Sequence, residues 1–298
     1  MADFATRLRE LRKDRGLRQV DLAGEMGVAQ TTIANYEQHT RFPDEDTLRR
    51  IANYFDVSLD FLLGRSHASL RGGNNGASTV REVSMATLSP LAESYVKQLL
   101  GGNRKRAYQT ILGVARDGAA VRALYADVLQ PALQAVGRLW ETAEIDVATE
   151  HYFSEATESL MSLLYPYLQQ PKHDRGVVVS VGVNGEFHHI GVKMISDILE
   201  EEGWKCFYLG TNTPTASLVQ ALDERKADIL AISATMPFNV DTVATTITHV
   251  RSVSERTDLK IITGGQAFNK DSELWKDVGA DGYARNLSDT IEVVNSLG

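Results

Sequence analysis

At 298 residues the chain has room for two domains, or three small ones, at ~150 residues per domain. Apolar residues make up 43% and charged residues 23%, which excludes a disordered chain. The 31 basic against 39 acidic residues exclude a global positive field for nucleic acid or an anionic membrane, so any such contact is local. Cys206 is the one cysteine, which excludes an intrachain disulfide framework and an all-cysteine metal site. The start, MADFATRLRELRK, lacks a signal-peptide core, and the apolar stretch Ile229 to Val240 is too short to span a bilayer. The expectation is a soluble, cytoplasmic protein with no membrane contact.

Residues 1–66 form a dense, helix-like block. Within it, RQVDLAGEMGVAQTTIANYEQHTRFP has the pattern of two short helices joined by a sharp turn. Gln19 opens the first, with Leu22, Ala23 and Met26 inward. Gly27 permits the turn and Val28 plugs the corner. Ala29 or Gln30 opens the second, with Ile33 and Tyr36 inward. TLRRIANYFDV and SLDFLLG supply further helices. Arg7, Arg9, Arg12, Lys13, Arg15 and Arg18 crowd the first helix and its exit as a local basic patch. Glu37, Asp44, Glu45 and Asp46 are expected away from any groove. Such a block can serve as a protein-interaction module or as a DNA reader. Its 10 basic and 11 acidic residues favour the former, and its spacing favours the latter. Residues 4–64 resemble the Cro/repressor helix-turn-helix family. In that family the second helix lies in the major groove, which assigns base contacts to Gln30, Thr31, Thr32 and Asn35 and a phosphate to Gln19. The implied partner is a double-stranded operator, read by a dimer on paired half-sites.

A glycine- and asparagine-rich segment, residues 67–79, reads as a flexible linker. Residues 80–170 then show four stretches with apolar positions three and four apart, expected as a four-helix bundle. After Pro171 the period changes. Short apolar runs (GVVVSVGV, KCFYLG, ADILAIS, LKIITGG, DGYARN) alternate with amphipathic stretches. Five strands with intervening helices predict a flavodoxin-like doubly wound parallel sheet over 174–298. The chain is thus expected to be multidomain, α and α/β: an all-α helix-turn-helix domain, a four-helix bundle and the sheet.

Ligands of such sheets bind beyond the carboxyl ends of the strands. The loop after the first strand, VGVNGEFHHIGVKM, lacks the G-x-G-x-x-G of a dinucleotide site. It carries Glu186, His188 and His189 instead. Imidazole suits transition metals, and a carboxylate can fix its tautomer. No further ligands stand at zinc-site spacing, so one imidazole on a metal held by a macrocycle fits better than zinc; a plain surface histidine is the alternative.

Glu186-Phe187-His188-His189-Ile190-Gly191 matches (Asp/Glu)-x-His-x-x-Gly of cobalamin-binding domains. Leu209-Gly210, Ser233 to Thr235, Gly264-Gly265 and Gly279 to Asn286 follow in the same order, and the similarity covers 174–298. The resemblance implies that His188 is the lower cobalt ligand, that Glu186 supports its other ring nitrogen, and that Gly191 belongs to the motif. It also implies that the nucleotide tail enters between the first and third strands, lined by Ser233 and Thr235, with Gly264 and Gly265 leaving room. His189 departs from that pattern, where the position is usually acidic, and stands as a rival ligand.

The helical block resembles the bundle preceding cobalamin domains in corrinoid proteins. Inside it, Trp140 is followed after nine residues by Glu150 and His151. This spacing resembles light-sensing cobalamin-dependent repressors of the CarH type. The resemblance implies that Trp140 and Glu150 line the pocket of the 5′-deoxyadenosyl group, and that His151 takes the upper cobalt position after light. Asp146 is expected to cap the helix carrying both. Adenosylcobalamin, a cobalt corrinoid, is then the cofactor of a non-enzymatic, light-dependent regulator that self-associates as a dimer or tetramer. That family usually carries a MerR-like domain, where this chain has a Cro-like one. A light-independent corrinoid sensor and a regulator binding haem or a bilin are the alternatives.

Overall fold

The computed structural model describes residues 4–38, 41–55, 57, 62, 88–169, 171–172, 174–269, 271 and 273–297. The linker expected over 67–79 and most of the helix expected over SLDFLLG lie outside the described residues. Two compact units emerge, Met1–Leu88 with Leu133–Phe153, and Ser89–Ala132 with Ser154–Gly298.

In the first unit, α1 (Phe4–Asp14), α2 (Gln19–Glu25), α3 (Gln30–Glu37) and α4 (Glu45–Phe55) follow the expected spacing. Leu22, Ala23, Met26, Ile33 and Tyr36 are buried, with Leu8, Leu48 and Ile51. Gly27 has φ +57° between α2 and α3, a conformation that costs any other residue backbone strain. Ala29 caps α3 from extended backbone, so Gln30 is its first residue.

The charge layout differs from expectation. The Glu37 side chain is fully buried, and both its oxygens accept from Arg12, at 2.5 Å from Nε and 2.9 Å from Nη2. Arg12 also donates to the Leu17 carbonyl at 2.7 Å, closing the α1 exit. Arg7 is 4% exposed, and Arg18 is paired with Asp21. Helix α1 packs on α3 through this pair, so two of the expected surface arginines, Arg7 and Arg12, belong to the interior. The basic patch shrinks to Arg9, Lys13 and Arg15 with the exposed, paired Arg18.

The second unit opens with α5 (Pro90–Leu100) and α6 (Arg104–Arg116). Ser89 caps α5, accepting from Ala92 N at 3.3 Å, with Pro90 at the first position, where a missing N–H costs nothing. The third helix runs as α7 (Val121–Leu124), a π-helical turn (Tyr125–Leu129) and α8 (Gln130–Glu141). The π turn has a local cause. Pro131 lacks the N–H that the Asp127 carbonyl would accept four residues back. Ser89 Oγ donates to that carbonyl instead, at 3.2 Å. The fourth helix is α9 (Val147–Leu164), followed by a 3-10 turn (Tyr165–Tyr167). Tyr95 and Thr157 join α5 to the second half of α9 by a buried hydroxyl pair at 3.0 Å. The expected helical bundle is thus present as helices, of which α8 from Leu133 and α9 through Phe153 are assigned to the first unit.

The sheet strands are β1 (Val177–Gly182), β2 (Lys205–Tyr208), β3 (Ile229–Ser233), β4 (Lys260–Gly264) and β5 (Gly282–Ala284), all parallel in the order β2-β1-β3-β4-β5. This is the flavodoxin-like order, with its switch point between β1 and β3. Strand alternation sends Val179, Val181, Leu230, Ile232 and Ile261 to one face, under α11 (Thr215–Arg225) and α12 (Val240–Val253). Val178, Ile229, Ala231 and Ile262 face the other way, against α10 (Ile190–Glu201) and α14 (Leu287–Leu297). A short helix, α13 (Leu274–Asp277), precedes β5. Among the described residues no helix is long and apolar enough to cross a membrane.

Burial alone would raise the Glu37 pKa, but hydrogen bonds from Arg12 and Gln19 and the charges of Arg12 and Arg9 hold it below the usual carboxylate range. Its stabilising contribution is therefore complete above that range and lost as pH falls through the depressed value. Glu37→Ala leaves a buried guanidinium unpaired and should cost the N-terminal unit about 3 kcal/mol. Calorimetry of the full chain checks this: the transition of that unit should move down, and the difference between wild type and variant should vanish in acid.

Candidate functional site

The loop from Val183 to His189 leaves β1 at the switch point, and its shape is set by one carboxylate. Glu186 is 0% exposed. Its Oε1 accepts from Phe187 N and His188 N, both at 3.0 Å, and from His188 Nδ1 at 2.6 Å. Its Oε2 accepts from Thr235 N at 2.6 Å, Met236 N at 3.3 Å and Asn239 Nδ2 at 3.1 Å. Burial by itself would push the Glu186 pKa up. The hydrogen bond and charge of His188, with the backbone N–H groups of His188 and Thr235, outweigh it and hold the pKa at about 2. Glu186 is thus an anion, balanced by donors from its own loop and from the loop after β3.

This anion fixes His188. With Nδ1–H donating to Glu186, the neutral ring keeps its lone pair on Nε2. The side chain is 49% exposed, and Nε2 has no partner among the described residues. His189 is arranged oppositely. Its Nδ1 faces the Phe187 carbonyl at 3.3 Å and its Nε2 faces Glu158 Oε2 at 2.9 Å. Burial alone would lower its pKa, but the hydrogen bond and charge of Glu158 raise it. Both ring nitrogens of His189 thus face acceptors of the protein, whereas His188 leaves Nε2 unengaged among the described residues.

The other sheet residues form the floor. Gly182, Ser233, Gly264 and Ala284 are in register across four strands at their carboxyl ends. This puts a row of small side chains beyond the bulky cluster of Val178, Ile229 and Ile262. A Cβ on Gly264 would lie 3.0 Å from the Ala284 carbonyl oxygen, and one on Gly265, at φ +95°, would lie 2.3 Å from that of Ala234. The two glycines therefore let strand ends approach before they make room for anything else. A Cβ on Gly191, by contrast, meets open space. Ser233 is 8% exposed, and Thr235 contributes its backbone N–H to Glu186.

The residues expected at the upper side of a cofactor, Trp140, Glu150 and His151, belong to the first unit. Trp140 is the penultimate residue of α8, and Glu150 and His151 are the fourth and fifth residues of α9. Asp146 Oδ1 accepts from Thr149 N at 2.7 Å, which is the expected cap. The His151 side chain is 52% exposed and its Nε2 lies 3.7 Å from Glu150 Oε2. In the DNA-directed part, Gln30, Thr31 and Asn35 are exposed on α3 and Thr32 is half-buried. Gln19 donates to Glu37 at 2.9 Å and accepts from Gln30 Nε2 at 3.0 Å, so it braces the first residue of α3.

Sequence reasoning missed Asn239, Asn212, Glu158 and Ser180. Asn212, at φ +58°, accepts from Gly185 N at 2.7 Å and so pins the loop from β2. Ser180 is fully buried on the face of the small row, with an Oγ that has no partner among the described residues. None of the four stands at a telling interval from His188 in the chain. No group of three or more His, Cys, Asp or Glu side chains able to hold a metal occurs among the described residues. An unengaged Nε2, a glycine with open space at its Cβ position, a small-residue row and an unpartnered buried hydroxyl fit a macrocycle-bound metal with a flat appendage.

Comparison with known proteins decides which macrocycle. A B12 binding domain model matches residues 176–292, a second B12 binding domain model matches 91–165, and a helix-turn-helix model matches 8–62. Together they indicate a cobalamin-binding protein with a Cro/repressor-like helix-turn-helix. A corrinoid protein of Desulfitobacterium hafniense is 25% identical over 170 residues, covering 55% of this chain and 77% of that protein. Dimethylamine corrinoid protein 3 of Methanosarcina acetivorans is 26% identical over 171 residues, covering 57% and 79%. The monomethylamine corrinoid protein of Methanosarcina barkeri, a solved structure, aligns with a TM-score of 0.61 at 20% identity, over 73% of this chain and 100% of that one, and shares the fold.

Gly265→Ala tests the strand-end packing. A Cβ would collide with the Ala234 backbone at a left-handed φ, so the variant should lose solubility or melt well below wild type, with a penalty above about 2 kcal/mol. Gly191→Ala, which meets open space, should melt as wild type.

Proposed function

We propose that the chain is a corrinoid-dependent transcriptional regulator that reads light through adenosylcobalamin. The observation that carries the reading is a buried carboxylate holding the His188 proton on Nδ1, so that Nε2 faces outward, in a chain that also has a helix-turn-helix. When bound, the cofactor supplies a photolabile cobalt–carbon bond.

The protein's residues do the rest. His188 Nε2 is the lower ligand and Glu186 keeps its tautomer, while Asn239 and the Thr235 and Met236 amides keep Glu186 ionised. Ser233 and Thr235 border the slot for the nucleotide tail, beside Gly264 and Gly265, and Gly191 leaves the helix start open. Trp140 offers a flat apolar wall and Glu150 an acceptor for ribose hydroxyls on the upper side. His151, exposed near the start of α9, would be available as an imidazole ligand to the cobalt after loss of the adenosyl group. Gln30, Thr31, Thr32 and Asn35 meet base edges, with Gln19 bracing Gln30 and holding a phosphate. A ligand that leaves one state and not the other supplies the differential free energy that a switch needs, here between a self-associated, operator-bound form and a released one.

A second reading is favoured by the relatives, which are named as dimethylamine and monomethylamine corrinoid proteins. In it the same His188 site reports methyl-corrinoid status without light. The response to light separates the two. Absorption spectra, size exclusion and operator gel shifts of the adenosylcobalamin-loaded chain, in the dark and after green light, form the test. The light reading predicts a changed spectrum and a changed oligomeric state on illumination. His151→Ala should bind the dark cofactor as wild type and fail to give the wild-type lit spectrum, and His188→Ala should bind at least tenfold more weakly, about 1.4 kcal/mol. Identical dark and lit behaviour, with operator binding that responds to methylcobalamin in the dark, selects the second reading.

A further inference from the structure

Helix α10 starts immediately after the histidine loop, and His189 is its N-cap. Residues His189, Lys193 and Asp197 stand four apart and so share one face of the helix. That face receives two polar side chains from helical segments of the same unit. At its start, Glu158 of α9 accepts from His189 Nε2 at 2.9 Å, and the other nitrogen of the same ring reaches the Phe187 carbonyl at 3.3 Å. Farther along, the buried Tyr125 hydroxyl donates to Asp197 Oδ2 at 2.9 Å, and Lys193 Nζ lies 3.6 Å from Asp197 Oδ1. Tyr208 donates to the His189 carbonyl at 3.4 Å and stacks under Lys193 Nζ, 6.0 Å from its ring centroid.

The two points differ in exposure: the Glu158 and His189 side chains are each about one-third exposed, whereas the second point is costly to undo. Tyr125 is 0% and Asp197 5% exposed, so neither can turn to water when its partner is lost. Tyr125 is also the first residue of the π turn, the local geometry that follows from Pro131. The remaining links to the end of α10, Tyr165 to Glu200 and Arg122 to Glu202, are solvent-exposed and weak by comparison.

We propose that Glu158 and Tyr125 are positioning residues that clasp α10 at two points, and that Glu158, acting through the His189 ring, fixes the peptide on which His188 stands. The His188 peptide is then held on both sides. Glu186 Oε1 accepts from the His188 N–H at 3.0 Å, and the His189 ring engages the preceding carbonyl. A shift of the Glu158-bearing segment against α10 would pull on residues 187–189, giving the lower ligand a contiguous mechanical link to the helical part of its own unit. The clasp itself is a property of the chain alone; its consequence for a corrinoid rests on the reading of His188 as lower ligand.

Hydrogen exchange on the unloaded full-length chain tests the clasp, with hydroxocobalamin titration as the second readout. Glu158→Ala should raise exchange over residues 183–190 about tenfold without changing that over β3 and β4. Glu158→Gln keeps an acceptor for the His189 ring and should fall between wild type and Glu158→Ala. Tyr125→Phe should raise exchange over the middle of α10, and its double variant with Glu158→Ala should exceed either single one over 183–190. The Glu158→Ala chain should bind hydroxocobalamin several-fold more weakly. Wild-type exchange over 183–190 in Glu158→Ala, Glu158→Gln and the double variant would overturn the proposal. A wild-type chain that binds no hydroxocobalamin, yet shows these exchange changes, would defeat the functional reading and leave the clasp standing.

Discussion

The buried Glu186 carboxylate is the interaction on which the site depends. An isolated carboxylate in a protein interior neutralises itself by taking a proton; this one remains ionised because six donors surround it. Those donors come from two loops, after β1 and after β3, so the charge staples the switch point of the sheet. The same charge selects the tautomer of His188. One anion therefore sets the loop shape, the strand-end geometry and the direction of the free imidazole nitrogen.

Much of this was legible in the sequence because it is local. Period changes separated bundle from sheet, and the glycine between Met26 and Val28 marked the turn between α2 and α3. Glu186 and His188 are two residues apart, so their hydrogen bond could be anticipated from the motif alone. Asn239 and Glu158 could not. Each lies tens of residues from the loop it holds, and an asparagine or glutamate in an amphipathic helix carries no pattern that distinguishes bracing from solvation. The π turn was hidden for a related reason: Pro131 sits in an otherwise regular helical stretch, and only the position of Ser89 shows where the freed carbonyl of Asp127 finds a donor.

Charge counting was least informative in the helix-turn-helix part. Spacing alone places the arginines there on the surface, and two of them, Arg7 and Arg12, are interior. Arg12 and Glu37 cancel inside the domain, with Gln19 and Gln30 joined to the same network. A buried pair of this kind leaves the net charge of the block near neutral while removing both members from any account of its surface. The exposed cations left in this part include Arg9, Lys13, Arg15, Arg41, Arg49 and Arg50, with Arg18 paired to Asp21, beside the amide and hydroxyl side chains of α3. This favours short-range readout over long-range attraction.

The most direct test of the central assignment is electron paramagnetic resonance of cob(II)alamin bound to the chain, grown once with natural-abundance histidine and once with histidine labelled with nitrogen-15. A lower ligand supplied by His188 predicts a superhyperfine triplet that becomes a doublet on labelling and disappears in His188→Ala. A triplet that persists unchanged in the labelled protein would mean that the cofactor keeps its own base on cobalt, and would contradict the account.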